Sequence, residues 1–234
     1  MSNFSSDAQF RTQGVGASHD TSPVKKGSWL SRNYFFSSSL VIFGCTVIGF
    51  SDNLLTDVGQ PSNSDPKFII HGLFCFAWMM LLVVQTHFIR QQNVAAHRSM
   101  GKFFGAVAAG VLLSTWYIQF QRFESWGDTF FLSKTNIIFI SSYGALVIAA
   151  FLNRRRPELH KRLIFLATLY MLGPIVDRVG GNTGISPYVT NPVIWNGMFL
   201  SFFVYDWKVR KGIHPITYLG YLWFWAVWAI AIFS

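Results

Sequence analysis

The amino-acid sequence predicts an all-α integral membrane bundle of seven transmembrane helices, with the N-terminus in the cytoplasm and the C-terminus outside. The first observation is composition: charged residues are 12% and aromatic residues 18% of the 234 residues, whereas about a quarter of a typical globular protein is charged. The second is a series of seven apolar runs, and the third is an unequal distribution of Lys and Arg between them. Together they predict one transmembrane domain over residues 29–234.

The N-terminal residues 1–28 differ from the rest of the chain. They are rich in Ser, Gly, Asp and Gln and contain almost no apolar clusters, so they cannot bury enough surface to become ordered. We predict a disordered cytoplasmic tail. The first apolar core begins near Tyr34, too far along the chain for a cleaved signal peptide, and is expected to remain as the first span.

Seven apolar runs define the predicted spans. Several are shorter than the roughly 20 residues needed to cross the hydrocarbon, but flanking aromatic and basic residues can extend them to the interface. Six spans are the alternative if the shortest run does not cross. The runs are 34–51, 68–89, 103–119, 136–152, 163–176, 192–205 and 215–233.

The connecting segments predict the orientation. When alternate sides are counted from the N-terminus, fourteen Lys and Arg residues lie on one side and four on the other. The richer side is cytoplasmic by the positive-inside rule, and this split requires an odd number of spans. The fourteen are Lys25, Lys26, Arg32, Arg90, Arg98, Lys102, Arg154, Arg155, Arg156, Lys161, Arg162, Lys208, Arg210 and Lys211. The four are Lys67, Arg122, Lys134 and Arg178.

The net charge of +9 does not indicate a nucleic-acid partner, because the basic residues lie between apolar runs and do not form one face. Cys45 and Cys75 lie inside apolar runs, so no disulfide is expected. The sequence contains no hydrolase, zinc-protease or phosphate-loop motif. No lysine lies in the middle of a span, which argues against a retinal Schiff base.

Four histidines share one predicted depth at the cytoplasmic face: His87, His97, His160 and His214. Two neutral imidazoles from different helices at one level can be axial ligands of a haem iron or can share a smaller metal. The alternative is that each imidazole simply lies at the membrane interface. We take His97, His160 and His87 as the candidate cofactor-binding residues and haem b as the candidate cofactor.

The second span argues against two stacked haems. His71, Cys75, Trp78 and Gln85 lie on one helical stripe, and Gln85 stands near where a second axial histidine would be needed. A single haem would therefore use His97 with His160, or one of these with His87 or His214. Gly101 and Gly105 of the third span form a small-residue contact that can bring His97 towards the helix of His160.

The outer face carries the candidate catalytic residues, His71 and Arg178. Arg178 can hold an anion or a quinone headgroup while His71 donates or accepts a proton, with Asp177 and Asn191 close by. The alternative is that Arg178 lies at the interface with Asp177 as its counter-ion. His160 and Arg178 are 18 residues apart and are expected on one helix face, roughly 27 Å apart. Gly173-Pro174 should bend this span.

These motifs also carry a resemblance to a known family. His71-Gly72 leading to Gln85, then His97-Arg98-x-x-Gly101, then His160 with Arg178 18 residues later, resembles a widespread family of uncharacterised polytopic bacterial membrane proteins. That family is distantly similar to cytochrome b561-type bundles. The resemblance covers about residues 68–180. It implies a bacterial inner membrane location and a shared polar set of His71, His97, His160 and Arg178, whereas Gln85 departs from a b561-type haem pair.

Three functions are consistent with these features. The first is a small redox protein or oxidoreductase subunit with a histidine-ligated haem or metal and an outer quinone site. The second is a cofactor-free carrier or accessory subunit of a membrane complex, in which the polar groups line a path for a small solute or proton. The third is a membrane enzyme that acts on a lipid-soluble substrate, with His71 as its acid or base. The expected surroundings are a lipid bilayer and no nucleic acid.

Overall fold

The computed structural model describes residues 28–123 and 125–234, and these residues form helices joined by short connections. No β-strand occurs within them, so the predicted all-helical class is confirmed. The tail predicted over residues 1–28 lies outside the described residues except for Ser28. The α-helices are α1 Trp29–Gly49, α2 Pro66–Arg90, α3 Val94–Arg122, α4 Phe131–Leu152, α5 Pro157–Tyr170, α6 Gly173–Thr183, α7 Pro187–Thr190, α8 Asn196–Arg210 and α9 Pro215–Phe233.

Polar caps and prolines set where several helices begin. The side chains of Ser28, Asp65 and Asn93 accept hydrogen bonds from backbone N–H groups in the first turns of α1, α2 and α3. Such caps satisfy donors that have no partner inside the helix. Helices α2, α5 and α9 also begin at a proline, where the missing N–H costs nothing.

Among the described residues, four helices are long and apolar enough to cross a membrane, namely α2, α3 over Val94–Gln121, α4 and α9. A fifth span exists if α5 and α6 are counted as one bent span. The sequence predicted seven, and the other two runs correspond to α1 and α8. Helix α1 has 21 residues but contains Arg32, Asn33 and the serines at 37–39, whereas α8 has 15 residues and follows a π-helical turn, Asn191–Trp195.

The bend predicted at Gly173-Pro174 is present. Helix α5 ends at Tyr170, α6 begins at Gly173, and their axes differ by 49°. Pro174 cannot donate a backbone hydrogen bond, and the Trp195 indole N–H donates to the Leu169 carbonyl beside the break at 2.7 Å. The prediction of one straight stripe from His160 to Arg178 is therefore wrong, because the two residues lie on different helices.

Helix α5 is the centre of the bundle. Every residue from Arg162 to Tyr170 is buried, and the neighbours of α5 include α4 and α9. Gly220 of α9 allows close approach, since a Cβ there would lie 2.4 Å from a Leu166 methyl carbon. The helices around α5 expose large apolar side chains, including Leu113, Phe120 and Leu152. An apolar outer surface of this kind is compatible with a lipid bilayer.

Candidate functional site

The structure brings His97 and His160 together. His97 lies near the start of α3 and His160 near the start of α5, with ring centroids 6.3 Å apart and ring planes at 85°. Both side chains are half-buried. At this separation a single water molecule can bridge two imidazole nitrogens. The pair is therefore a joint feature of two helices that are distant in sequence.

The contact that holds His160 fixes its tautomer. Nδ1 of His160 lies 2.9 Å from the carbonyl oxygen of Ala150 at the end of α4. A carbonyl oxygen only accepts hydrogen bonds, so neutral His160 carries its proton on Nδ1. Its Nε2 is consequently left with a lone pair that can accept a proton.

Gln85 of α2 assigns the opposite tautomer to His97. With the Gln85 amide nitrogen directed at His97, it donates to His97 Nδ1 at 2.5 Å and to the His97 carbonyl at 3.2 Å, while its oxygen accepts from Gly101 N–H at 3.3 Å. The reverse orientation would place oxygen against oxygen and N–H against N–H. We therefore assign the first orientation. Nδ1 of His97 is an acceptor, so neutral His97 carries its proton on Nε2.

The small-residue contact predicted for α3 has a different partner from the one expected. Gly101 faces open space, whereas a Cβ on Gly105 would lie 3.2 Å from the ring of Phe151 on α4. Helix α3 thus approaches α4, and α4 in turn holds His160 through Ala150. Helices α3 and α5, which carry His97 and His160, therefore both pack on α4.

The other two histidines that the sequence predicts at the inner face have other contacts. The ring of His87 lies 5.5 Å from that of Phe36 on α1. His214 is the N-cap of α9, where its Nδ1 accepts from Ile216 N–H at 3.1 Å. The candidate cofactor set of His97, His160 and His87 is therefore assembled only as the first two residues.

A haem held by both imidazoles does not fit this arrangement. Each axial histidine must present a lone pair to the iron. His160 can do so through Nε2, and its Nδ1–H to carbonyl bond is typical of a metal-ligating histidine. In the assigned orientation of Gln85, Nδ1 of His97 accepts the amide N–H and Nε2 carries the proton, so His97 presents no free lone pair. The same reasoning applies to a smaller ion shared by the two rings, and no group of three His, Cys, Asp or Glu suited to a metal occurs in the described part of the chain.

A buried ion pair lies near the histidines, where Arg162 follows His160 by two residues on α5. Arg162 and Asp206 of α8 have fully buried side chains and form a salt bridge. Asp206 also accepts from the backbone N–H of His214 at 3.0 Å and from the hydroxyl of Thr217 at 2.5 Å. Arg162 donates to Glu158 as well, at 2.6 Å. This network joins α5, α8 and α9 at their cytoplasmic-side ends as the sequence orients them.

Sequence reasoning missed this ion pair. Arg162 was counted among the basic residues that set topology, and Asp206 was not singled out. A signal was present, because Asp177 and Asp206 are the only acidic residues after Glu158. Asp206 directly follows the apolar run 192–205, and an acidic residue there needs a partner, since an isolated charge close to the hydrocarbon is costly.

The outer residues do not form the single site that was predicted. His71 lies against α3, with Nδ1 3.1 Å from the Ser114 hydroxyl and its ring 3.6 Å from the Cys75 sulfur. Arg178 instead donates to Asn53 at 2.8 Å and pairs with Asp52 at 3.4 Å in the connection after α1. The candidate catalytic residues His71 and Arg178 thus have separate partners on different helices.

The polar contacts at Asp52 affect its ionisation. Partial burial raises the pKa of this carboxyl group, but hydrogen bonds from Asn182 and from the Asn53 backbone, together with the charge of Arg178, outweigh burial. The pKa of Asp52 is therefore below its ordinary value. The ionised Asp52 carboxylate is the counter-ion of Arg178. Arg178 therefore connects α6 to the segment after α1.

Two cavities lie towards the end of the bundle opposite the histidine pair. One, of about 210 Å³, is almost wholly apolar and is lined by Trp116, Gln119, Phe120, Phe123, Trp126 and Ile137. The other, of about 40 Å³, includes Asp177 and Asn191, whose side chains are hydrogen-bonded to each other. Neither cavity includes His71 or Arg178, so neither is the quinone site that the sequence predicted.

The fold and these sites define a class: an all-helical protein with several helices long and apolar enough to span a membrane. Comparison with known proteins does not narrow the class further, because no family model, no curated protein and no solved structure matches the chain. The resemblance to a polytopic bacterial family stays a prediction from the histidine motifs.

Proposed function

We propose that the protein is a seven-span integral membrane protein of the bacterial inner membrane in which the pair of His97 and His160 takes up and releases a proton at the cytoplasmic end. It would act as a proton-handling carrier or accessory subunit of a membrane complex. Length and composition support four or five of the spans, and α1 and α8 complete the odd number that the Lys and Arg distribution requires.

The observation that supports this proposal is the different polar partner of each ring, from which we assign opposite tautomers. Gln85 leaves a proton on His97 Nε2, and the Ala150 carbonyl leaves a lone pair on His160 Nε2. A donor and an acceptor therefore lie in neighbouring rings whose centroids are 6.3 Å apart. Imidazole is also the side chain that changes charge between about pH 5 and 8, which suits a group that takes up and releases protons in a cell.

The chemistry of one cycle follows from these contacts. An incoming proton binds at Nε2 of His160, the lone pair that the Ala150 bond leaves free. Both imidazoles then present N–H groups at Nε2, so the pairing of the His97 N–H with the His160 lone pair is lost. When the proton leaves Nε2, the original pairing is restored. Protonation would thereby change the contact between α3 and α5.

A haem-containing oxidoreductase is less well supported. The tautomer that Gln85 assigns to His97 withholds one of the two lone pairs that a bis-histidine haem needs. The third function is a lipid-substrate enzyme that uses His71 as its acid or base. The polar neighbours of His71 are Cys75, Ser114 and Thr115. None of these contacts supplies a charged partner for acid–base catalysis at His71.

Proton movement across liposomes tests the proposal. Purified protein is reconstituted with an internal pH indicator, and a potassium gradient with valinomycin supplies the driving voltage. We expect proton flux above that of protein-free liposomes, reduced at least about tenfold in His160→Ala, which corresponds to about 1.4 kcal/mol in the barrier. His87→Ala is the matched control, because His87 lies against Phe36 and not in the pair.

Three outcomes would overturn the proposal. The first is wild-type flux equal to that of empty liposomes. The second is unchanged flux in His160→Ala, and the third is an equal loss in His87→Ala. A sharp reduced α-band in the visible spectrum that disappears in His160→Ala would instead establish the haem function.

A further inference from the structure

A second polar site lies at the opposite end of the bundle from the histidine pair. It is the cavity of about 40 Å³ formed where the start of α4, the start of α6 and the π-helical turn before α8 meet. Its polar lining comes from Asp177 of α6, Asn191 of the π-helical turn, and Thr135 and Asn136 of α4. The volume is sufficient for one small ion or a few water molecules.

One oxygen atom in this site has no partner. Asn191 donates from its amide nitrogen to Asp177 Oδ1, so the amide oxygen is directed elsewhere. That oxygen, Oδ1 of Asn191, is buried and has no hydrogen-bond partner among the residues that the structure describes. A buried acceptor without a partner requires an explanation, and a bound ion or water is the usual one.

The chemistry of the lining selects a hard cation. Carboxylate, amide and hydroxyl oxygens are ligands of hard ions, whereas no sulfur or imidazole lines this cavity. Asp177 supplies one negative charge, and the adjacent Arg178 is paired with Asp52 and Asn53. One carboxylate among neutral oxygens balances a monovalent ion.

The backbone around the cavity is irregular. Helix α6 begins at the break after α5, and the turn Asn191–Trp195 departs from α-helical hydrogen bonding. Gly173 keeps the lining open, because a Cβ there would lie 3.1 Å from the Trp195 ring and 4.0 Å from Asn136 Oδ1.

We propose that this cavity binds one Na⁺ ion, with Asp177 and the Asn191 amide oxygen as principal ligands and Asn136 and Thr135 as further oxygen donors. The site is separate from the histidine pair and goes beyond proton exchange. It places a cation site at the outer end of the same bent helix pair, α5 and α6, that carries His160 at its inner end.

Sodium-dependent thermal stability tests the proposal. Detergent-purified protein is unfolded by heating in choline chloride, with NaCl or KCl substituted at constant ionic strength, and followed by tryptophan fluorescence. We expect a saturable rise in Tm with NaCl that Asp177→Asn abolishes. Asn136→Ala should raise the NaCl concentration needed for half of the rise in Tm at least about tenfold, which corresponds to about 1.4 kcal/mol of binding free energy. Asp65→Asn is the matched control, because Asn is an equally good helix N-cap.

A second measurement does not depend on any variant folding. The ²³Na NMR signal of a dilute NaCl solution should broaden on addition of wild-type protein. It should narrow again when excess LiCl is added as a competing monovalent cation. An equal Tm response to Na⁺, K⁺ and choline, with no broadening, would show that water alone occupies the cavity and overturn the proposal. A Na⁺ response retained in folded Asp177→Asn would also overturn it. His160→Ala should keep the full Na⁺ response.

Discussion

Replacing Asp206 by Asn should destabilise the protein more than the loss of any exposed carboxylate. The change is isosteric, so it removes the charge without creating a cavity. It leaves Arg162 fully buried without its principal counter-ion. It also places an amide N–H₂ group among three donors: the Arg162 guanidinium, the His214 backbone N–H and the Thr217 hydroxyl.

The size of the effect follows from these contacts. Breaking a buried ion pair by removing one partner costs about 3–5 kcal/mol. Glu158 also bonds Arg162, but its side chain is 58% exposed, so it only partly compensates the charge. The amide oxygen of the new Asn can keep the two hydrogen bonds that Oδ2 of Asp206 accepts, from the His214 N–H and the Thr217 hydroxyl. We therefore expect the lower end of the range, about 3 kcal/mol.

Equilibrium unfolding in mixed detergent micelles, followed by tryptophan fluorescence, measures this free energy. Asp57→Asn is the matched control, because Asp57 is exposed in the connection after α1. It should change the unfolding free energy by less than about 0.5 kcal/mol. An Asp206→Asn effect no larger than that of the control would refute the idea that the ion pair holds α5, α8 and α9 together.

A double variant separates charge from packing. Arg162→Met alone leaves Asp206 buried without its cation, whereas Arg162→Met with Asp206→Leu removes both charges. Replacing both members of a buried pair by apolar residues is often nearly neutral. The double variant should therefore be less destabilised than the sum of the single variants. Strict additivity would mean that the two side chains do not interact.

Two further predictions concern α9. Gly220→Ala should destabilise the bundle by about 1–3 kcal/mol, because its Cβ would overlap Leu166, whereas Gly72→Ala, which faces open space, should be tolerated in the same unfolding assay. Burial, aided by the nearby charge of Arg162, lowers the pKa of His214. As the pH falls, the unfolded chain therefore protonates His214 before the folded protein does, so the stability should rise with pH up to about 6.5. His214→Asn keeps the helix cap and should reduce the difference in Tm between pH 5 and 7.5, and an unchanged difference would contradict this assignment.

Local features of the fold were predictable from the sequence. Composition and apolar runs gave the all-helical class, and Gly173-Pro174 gave the bend, because proline removes a backbone donor wherever it lies in a helix. Span number was less predictable. Helices α1 and α8 are polar or interrupted, and whether such a helix crosses depends on its neighbours rather than on its own composition.

The sites show the same division. The sequence placed His97 near His160, although the contact is made through α4 and not directly through Gly101 and Gly105. It could not pair Arg162 with Asp206 or assign Gln85 to His97, because both contacts join helices whose order in the bundle is set by tertiary packing. The sequence also predicted that Arg178 lies beside His71. The two residues are not neighbours, because a shared depth in the membrane does not mean contact between side chains.

The most direct test of the account is the protonation of His97 and His160, read by ¹⁵N NMR of histidine-labelled protein in lipid bilayers near neutral pH. Single His→Ala variants assign the two rings. The account predicts neutral His97 protonated on Nε2 and neutral His160 protonated on Nδ1, with only His97 changing in Gln85→Leu. The same tautomer at both positions, or metal-shifted nitrogens in both rings, would contradict the pairing of a donor on His97 with an acceptor on His160. Metal-shifted nitrogens would indicate a cofactor-binding site instead.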